Sequence, residues 1–434
     1  MLKYLGIIIS LLLTSFYLFP FEPAFMPGVN VKYVMACLSI PFVCMQTARK
    51  RDSKFDKDLL TIFLYSLPIS LFSWISNVYN ATYDYSFNYY FVSIFAWMGA
   101  AYLVVSVIRC VHNALSVKLV AHYLIGVCCL QCVLSQIMVY NPAIGNFIDG
   151  LMATGGEAFM GDAGDRIHGL GCALDVAGGR FAAILLMNAF LMTKAKTRIE
   201  IYFHTITFLI IAVLGNMIGR TTSVGVIMCF VYWCYDALLI REARKEYINH
   251  LGMLLLIAIP IMVILYNTND VFYKNIRFGF EGFFALAEKG QWDMNSTNIL
   301  TQNMIVFPDN MKTWIIGDGY GANPYYDPYY VGPAYHGFYM ETDIGYLRFI
   351  FFFGVLGMFS MIAMFIGFYR LCCNRFATYK NMILLLLVLN LIIWCKVTSD
   401  LLPVFAILLC VSKEENDAAE EGEQLTVNGE RLAG

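Results

Sequence analysis

The chain has 434 residues, 59% of them hydrophobic and 14% charged, with a mean hydropathy of +0.64 and a formal net charge of −2. An ordinary soluble domain carries about a quarter charged residues, so this composition belongs to the membrane class. No basic patch with interleaved aromatics occurs, which argues against nucleic acid as a partner.

Repeated apolar runs have the length of about 17 to 25 residues needed to cross about 30 Å of hydrocarbon as helices. The predicted fold is therefore all-α, a polytopic membrane protein rather than a β-barrel. Twelve spans are predicted, at about 4–21, 29–46, 59–79, 89–109, 119–140, 177–193, 201–218, 222–240, 249–267, 344–368, 381–397 and 400–412. The first of them, in MLKYLGIIISLLLTSFYLFP, has no small-residue cleavage site and leads into another apolar segment, so it reads as an uncleaved helix. The basic clusters ARKRDSKFDK, KAKTR, REARK and YRLCCNRFATYK fall on alternate connections. The positive-inside bias then puts them, and both termini, in the cytoplasm. Of the 13 cysteines only Cys172 falls in an outer loop, which gives no disulfide framework.

Two outer segments interrupt the transmembrane domain of residues 1–411. Residues 141–176 are rich in Gly and Asp, and residues 268–343 form a loop far longer than a helix connection requires. The second contains NPYYDPYYVGPAYHGFYM, whose aromatics serve either to stack on sugars or to form a membrane-interface belt. The acidic tail, residues 412–434, is expected to be disordered in the cytoplasm. No internal repeat is visible, which disfavours a transporter built from duplicated halves.

The informative side chains are arginines on the outer side. Arg166 and His168 lie in the first long loop, Arg180 at the outer end of the sixth span, and Arg220 in the turn NMIGRTTSVG. Arg348 falls about five residues inside the tenth span, after HGFYMETDIGYL. Ionisable groups in or beside a span need a reason, and a guanidinium pairs well with phosphate oxygens at headgroup depth. The alternative is that each arginine snorkels to the interface or pairs with Asp165, Asp175 or Asp343. Glu341 and Arg348, seven residues apart, are expected on one helical face about 10 Å apart along the axis, where they would bracket a bound group. Asp343 is expected to cap the helix. GDGYG at 317–321 lacks the Lys and Ser/Thr of a phosphate-binding loop and reads as a turn. His336 and His168 are the candidate acids or bases. No HExxH, GxSxG or clustered carboxylates occur.

The order of a large outer loop before the tenth span, WIIGDGYG, His336 and TDIGYLRFIFFFGVLG resembles the bacterial O-antigen polymerase and ligase superfamily. The GRTTS turn around Arg220 is similar to the arginine-bearing outer turn of those proteins. The likeness spans most of residues 140–370 as an arrangement. Two features depart from it: Gly337 follows His336 where many relatives have Asn, and Ala177 and Glu288 stand eleven residues after Arg166 and Arg277, where a repeated arginine motif would place Gly. The resemblance implies a GT-C-like membrane glycosyltransferase acting on the outer face of the cytoplasmic membrane. A glycan would pass from undecaprenyl diphosphate to the hydroxyl of another lipid-linked repeat unit, with arginines stabilising the leaving diphosphate without a metal or cofactor. The expected catalytic residues are Arg220, Arg348, His336 and Glu341. Expected substrate contacts are Arg166, His168, Arg180, Asp318, Tyr320 and Tyr339. Implied partners are undecaprenyl diphosphate-linked glycans, membrane lipids, a chain-length regulator and a flippase. Two other readings stay open: a ligase that passes finished glycan to the lipid A core, and a flippase for lipid-linked sugars.

Overall fold

A computed structural model describes residues 2–49, 57–153, 166–237 and 245–422. Their regular structure is helical, with no strand among the described residues beyond two isolated bridges. In chain order the helices are α1 Leu2–Leu18, α2 Val31–Arg49, α3 Lys57–Asn80, α4 Tyr90–His112, α5 Val117–Tyr140 and α6 Pro142–Asp149. They continue as α7 Leu174–Lys194, α8 Arg198–Ile218, α9 Thr222–Tyr235, α10 Lys245–Thr268, α11 Asp270–Gly279, α12 Glu281–Lys289 and α13 Asn295–Asn303. α14 Met311–Ile315, α15 Gly345–Arg375, α16 Lys380–Ile393 and α17 Leu402–Leu409 follow. Each of the twelve predicted apolar segments contains a helix, and six helices (α3, α4, α5, α7, α8 and α15) are long and apolar enough to cross a membrane. Their outward side chains are large and apolar, among them Leu64, Leu71, Leu130, Ile206 and Leu356, as a lipid-facing surface requires. Most of the basic clusters at 48–57 and 241–245 lie outside the described residues.

The core forms around α7, in which every residue from Ala177 to Thr193 is buried. It packs against α5, α8, α9 and α16. A helix enclosed on all sides in this way has its ends fixed, so the groups at its N-terminus become rigid reference points for whatever sits there. Polar caps define the neighbouring ends. The Ser116 side chain accepts from the Leu119 amide at the start of α5, and Thr197 and Glu200 form a reciprocal capping box on α8.

Charged pairs lie at both ends of the bundle. At one end, Arg109 pairs with Glu415, Lys118 with Glu200, and Arg375 with Asp58. This end also departs from expectation, because residues 413–422 are helical rather than disordered. Asn416 is buried and accepts from the Val117 amide at 3.0 Å, while Glu415 caps its own helix start through Ser412. The rest of the tail, 423–434, lies outside the described residues.

α15 is broken at Phe353 and Gly354, with Gly354 at φ +73° and ψ −179°, a conformation essentially reserved for glycine. The break frees the carbonyls of Phe351 and Phe352, and the GDGYG segment satisfies them. The Asp318 amide donates to Phe351 O at 2.5 Å, the Gly319 amide to Phe352 O at 3.1 Å, and Ser76 Oγ to Phe352 O at 2.7 Å. Non-helical backbone at this depth is tolerated only where neighbours supply its hydrogen bonds. Gly317, at φ +85°, lets the loop approach so closely that a Cβ there would lie 2.4 Å from Phe352 O. The turn read from GDGYG is thus the wedge that holds α15 open.

Candidate functional site

At the other end of the bundle, the first turn of α7 meets the turn between α8 and α9. Gly219 lies against Leu174 O, where a Cβ would be only 2.4 Å away, and this close approach brings Thr221 over Asp175. Asp175 Oδ1 accepts from Thr221 Oγ1 at 2.6 Å and from Lys396 Nζ at 2.6 Å. Lys396 comes from the turn after α16 and was not among the predicted site residues. A carboxylate at a helix N-terminus is itself favoured by the helix dipole, so Asp175 is a firm anchor for the cation.

Arg220 follows directly from this turn. Its guanidinium pairs with Glu281 in the first turn of α12 and stands 4.2 Å from the centroid of the Phe278 ring. Arg166 stands 5.0 Å over the same ring. The Arg220 guanidinium is held below its ordinary pKa, chiefly by burial and also by Arg166, with Glu281 and Asp175 opposing. Burial makes the charged form depend on its anionic partner, a place that Glu281 fills. Phe278 arrives here because the C-terminus of α11 packs on that of α8, with Gly279 against the Asn216 backbone.

Two cavities share Phe278. One, of about 960 Å³, is lined by Arg166, His168, Asp149, Lys274 and Asn275, and the other, of about 510 Å³, by Arg220, Glu281, Arg277 and Lys289. His168 Nε2 lies 2.9 Å from Asp149 Oδ1 at the end of α6.

Arg348 lies one step further along. Its guanidinium donates to Thr398 Oγ1 and to the Gly321 carbonyl, each at 2.9 Å, stacks 3.5 Å from the Phe338 centroid and faces Asp343 at 3.6 Å. Asp343 is pushed up from its ordinary pKa by burial, although Arg348 and Lys396 both pull it down. Asp343 also feels Asp175, and Asp175 feels Arg166. Arg220, Arg166, Asp175, Lys396, Asp343 and Arg348 therefore form one electrostatically linked track across this end of the bundle.

The remaining predicted residues are placed differently. Arg180 lines neither cavity. Its guanidinium turns inward, donates to Leu18 O at the C-terminus of α1, and lies between Phe19 and Trp97, within electrostatic range of Asp400. It satisfies an end carbonyl of α1, a role that fits a helix terminus buried in the bundle. Asp318 accepts from Lys312, Thr313 and Tyr339, and Tyr320 donates to Asp327 at 2.7 Å. These groups spend their hydrogen bonds within the loop that wedges α15. Burial, aided by the nearby carboxylates, raises the pKa of both tyrosines, so both hydroxyls stay protonated donors.

His336 and Glu341 are exposed, and they meet through the His336 amide, 3.3 Å from Glu341 Oε1. The expected helical register between Glu341 and Arg348 does not exist, because α15 starts only at Gly345 and Glu341 lies before it at φ +54°. Ile344 occupies the N-cap with no side-chain cap, so Asp343 pairs with Arg348 instead of capping. Asp165 lies outside the described residues. Comparison with known protein families and with characterised proteins finds no match for this chain.

Proposed function

We propose that this protein is a surface-polysaccharide polymerase of the cytoplasmic membrane. It would transfer a glycan from undecaprenyl diphosphate to the hydroxyl of another lipid-linked repeat unit on the outer face. The observation that carries the reading is the gathering of Arg166, Arg220, Lys396 and Arg348 at one end of an apolar helical bundle, where Arg166 and Arg220 line two cavities that share the Phe278 wall. Glu281 and Asp343 hold the arginines Arg220 and Arg348 in the absence of substrate, so neither guanidinium is left uncompensated.

In this reading the donor's diphosphate exchanges for Glu281 on Arg220 and lies along the Arg166–Arg220 pair. A glycosidic bond breaks there because fixed guanidiniums stabilise the charge that grows on the departing diphosphate. The acceptor hydroxyl attacks the anomeric carbon as the diphosphate leaves, and its proton passes to a base. The cavities supply what a lipid-linked sugar needs, charged groups for the diphosphate and an aromatic wall for the sugar face. The twelve segments read as spans, the cytoplasmic termini and the GT-C-like architecture belong to the same proposal. The likeness of GRTTS and TDIGYLRF to the polymerase and ligase superfamily points the same way.

Deleting the gene and resolving the surface glycan on a gel tests the reading. A single repeat unit on the acceptor is the expected product. Full-length polymer left on the carrier lipid indicates a ligase, lipid-linked units trapped inside indicate a flippase, and an unchanged glycan ladder contradicts all three.

A further inference from the structure

We propose that His168, oriented by Asp149, is the group that takes the acceptor's proton. The inference rests on the transfer reaction proposed above and names a residue pair within its site. His168 lies in the 960 Å³ cavity beside Arg166, and the chain that follows it is tied down. Gln131 Nε2 donates to Leu170 O at 3.0 Å, and the Gly169 amide donates to Cys172 O at 2.8 Å, which fixes the segment that carries the histidine.

The contact with Asp149 sets the tautomer. A carboxylate only accepts, so at 2.9 Å Nε2 carries the hydrogen and donates it to Asp149 Oδ1. Nδ1 is left with its lone pair. Its one recorded contact among the described residues is the Arg166 carbonyl oxygen at 3.5 Å, the outer limit of a hydrogen bond, so Nδ1 can exchange it for a new partner. After proton uptake Nδ1–H gains that carbonyl as an acceptor, and Asp149 stabilises the resulting imidazolium.

The chemistry then balances across the two cavities that meet at Phe278. The acceptor oxygen forms its bond to the anomeric carbon as the bond from that carbon to the diphosphate oxygen breaks. The electron pair leaves with the diphosphate, towards Arg166 and Arg220, and the hydroxyl proton moves to Nδ1 of His168. His336 offers no comparable arrangement, because it is exposed and its ring makes no hydrogen bond among the described residues. His112, His122 and His204 cluster near the opposite end of the bundle, at the starts of α5 and α8 and the end of α4.

The test uses the full chain in lipid vesicles, supplied with lipid-linked repeat units extracted from cells that lack this gene. His168→Gln should lower kcat by about 10²–10⁴-fold, the range of a lost general base, with KM within about twofold. The acidic limb of its rate–pH profile should disappear. Asp149→Asn should lower kcat with KM preserved, because the imidazole loses the carboxylate that orients it. Both variants should melt as the parent does, which separates proton transfer from scaffolding. An active wild type whose His168→Gln variant keeps its kcat and its acidic limb overturns the assignment alone. A wild type that makes no polymer overturns the transfer reading and the assignment with it.

Discussion

Replacing Gly354 by Ala probes the link between the broken helix and the charged end of the bundle. The residue holds φ +73° and ψ −179°, and an alanine forced to stay there is strained by roughly 1–3 kcal/mol. Its Cβ would also lie 2.1 Å from Ile315 O and 2.4 Å from Ile315 C, both backbone atoms of α14 that no rotamer change can move. Overpacking of that kind adds roughly 1–3 kcal/mol, so the whole cost is about 2–6 kcal/mol. That is a large share of the stability of a typical domain, about 5–15 kcal/mol. The alternative to paying it is for α15 to straighten, which withdraws the Phe351 and Phe352 carbonyls from Asp318, Gly319 and Ser76. Arg348 rides on the half-helix before the break, so its position over Phe338 shifts in either case. Thermal unfolding of the detergent-solubilised protein, followed by tryptophan fluorescence, should show a clearly lowered midpoint. Chain extension should fall with it. A Gly354→Ala variant with the parent's midpoint and activity would refute the reasoning.

Two further predictions concern the charges that hold the arginines. Glu281→Gln removes the countercharge of Arg220 while keeping a similar shape, so inorganic pyrophosphate should bind up to about fivefold more tightly, as a partly exposed ion pair of about 1 kcal/mol allows. The gain should shrink in high salt, and calorimetric titration of both proteins checks it. Asp343 supplies a pH dependence. Burial raises its pKa above 3.8, so as pH falls it takes up a proton before an ordinary aspartate does, and Arg348 loses its countercharge. Pyrophosphate affinity at this site should therefore rise as pH falls through the Asp343 titration, above the range where an ordinary aspartate takes up its proton, once the ligand's own titration is subtracted. In Asp343→Asn that increment should be absent, and an unchanged increment would show that another group causes it.

Much of the helical architecture was legible because lipid imposes a simple rule, length plus apolar composition, and α4, α5 and α8 obey it with few interruptions. Arg166 and Arg220 stood out in the sequence because a charge in a connection beside a span contrasts with that rule, and the fold brings both over the Phe278 ring. The direction of a side chain was not legible. Arg180 sits at a similar depth, yet it turns inward to Leu18 O, a choice decided by where the end of α1, packed on α4 and α5, comes to lie, which no local pattern records. Lys396 was missed because its partner Asp175 is 221 residues away, and only the fold brings them together. The break in α15 was hidden in an unbroken apolar run, while its companion GDGYG looked like a free turn. Residues 413–422 have the composition of a disordered tail, and tertiary partners at Val117 and Arg109 override it.

The central claim is that guanidiniums at this end of the bundle bind and activate a lipid diphosphate. The most direct measurement is chain extension by vesicles that carry Arg220→Ala, Arg220→Lys, Arg348→Ala or Arg348→Lys, with the amount of protein in the membrane quantified alongside. The Ala variants should reach the membrane but make no polymer. The Lys variants should recover little, because a single ammonium cannot reproduce the paired donors of a guanidinium. Polymer of normal length from both Ala variants would contradict the account.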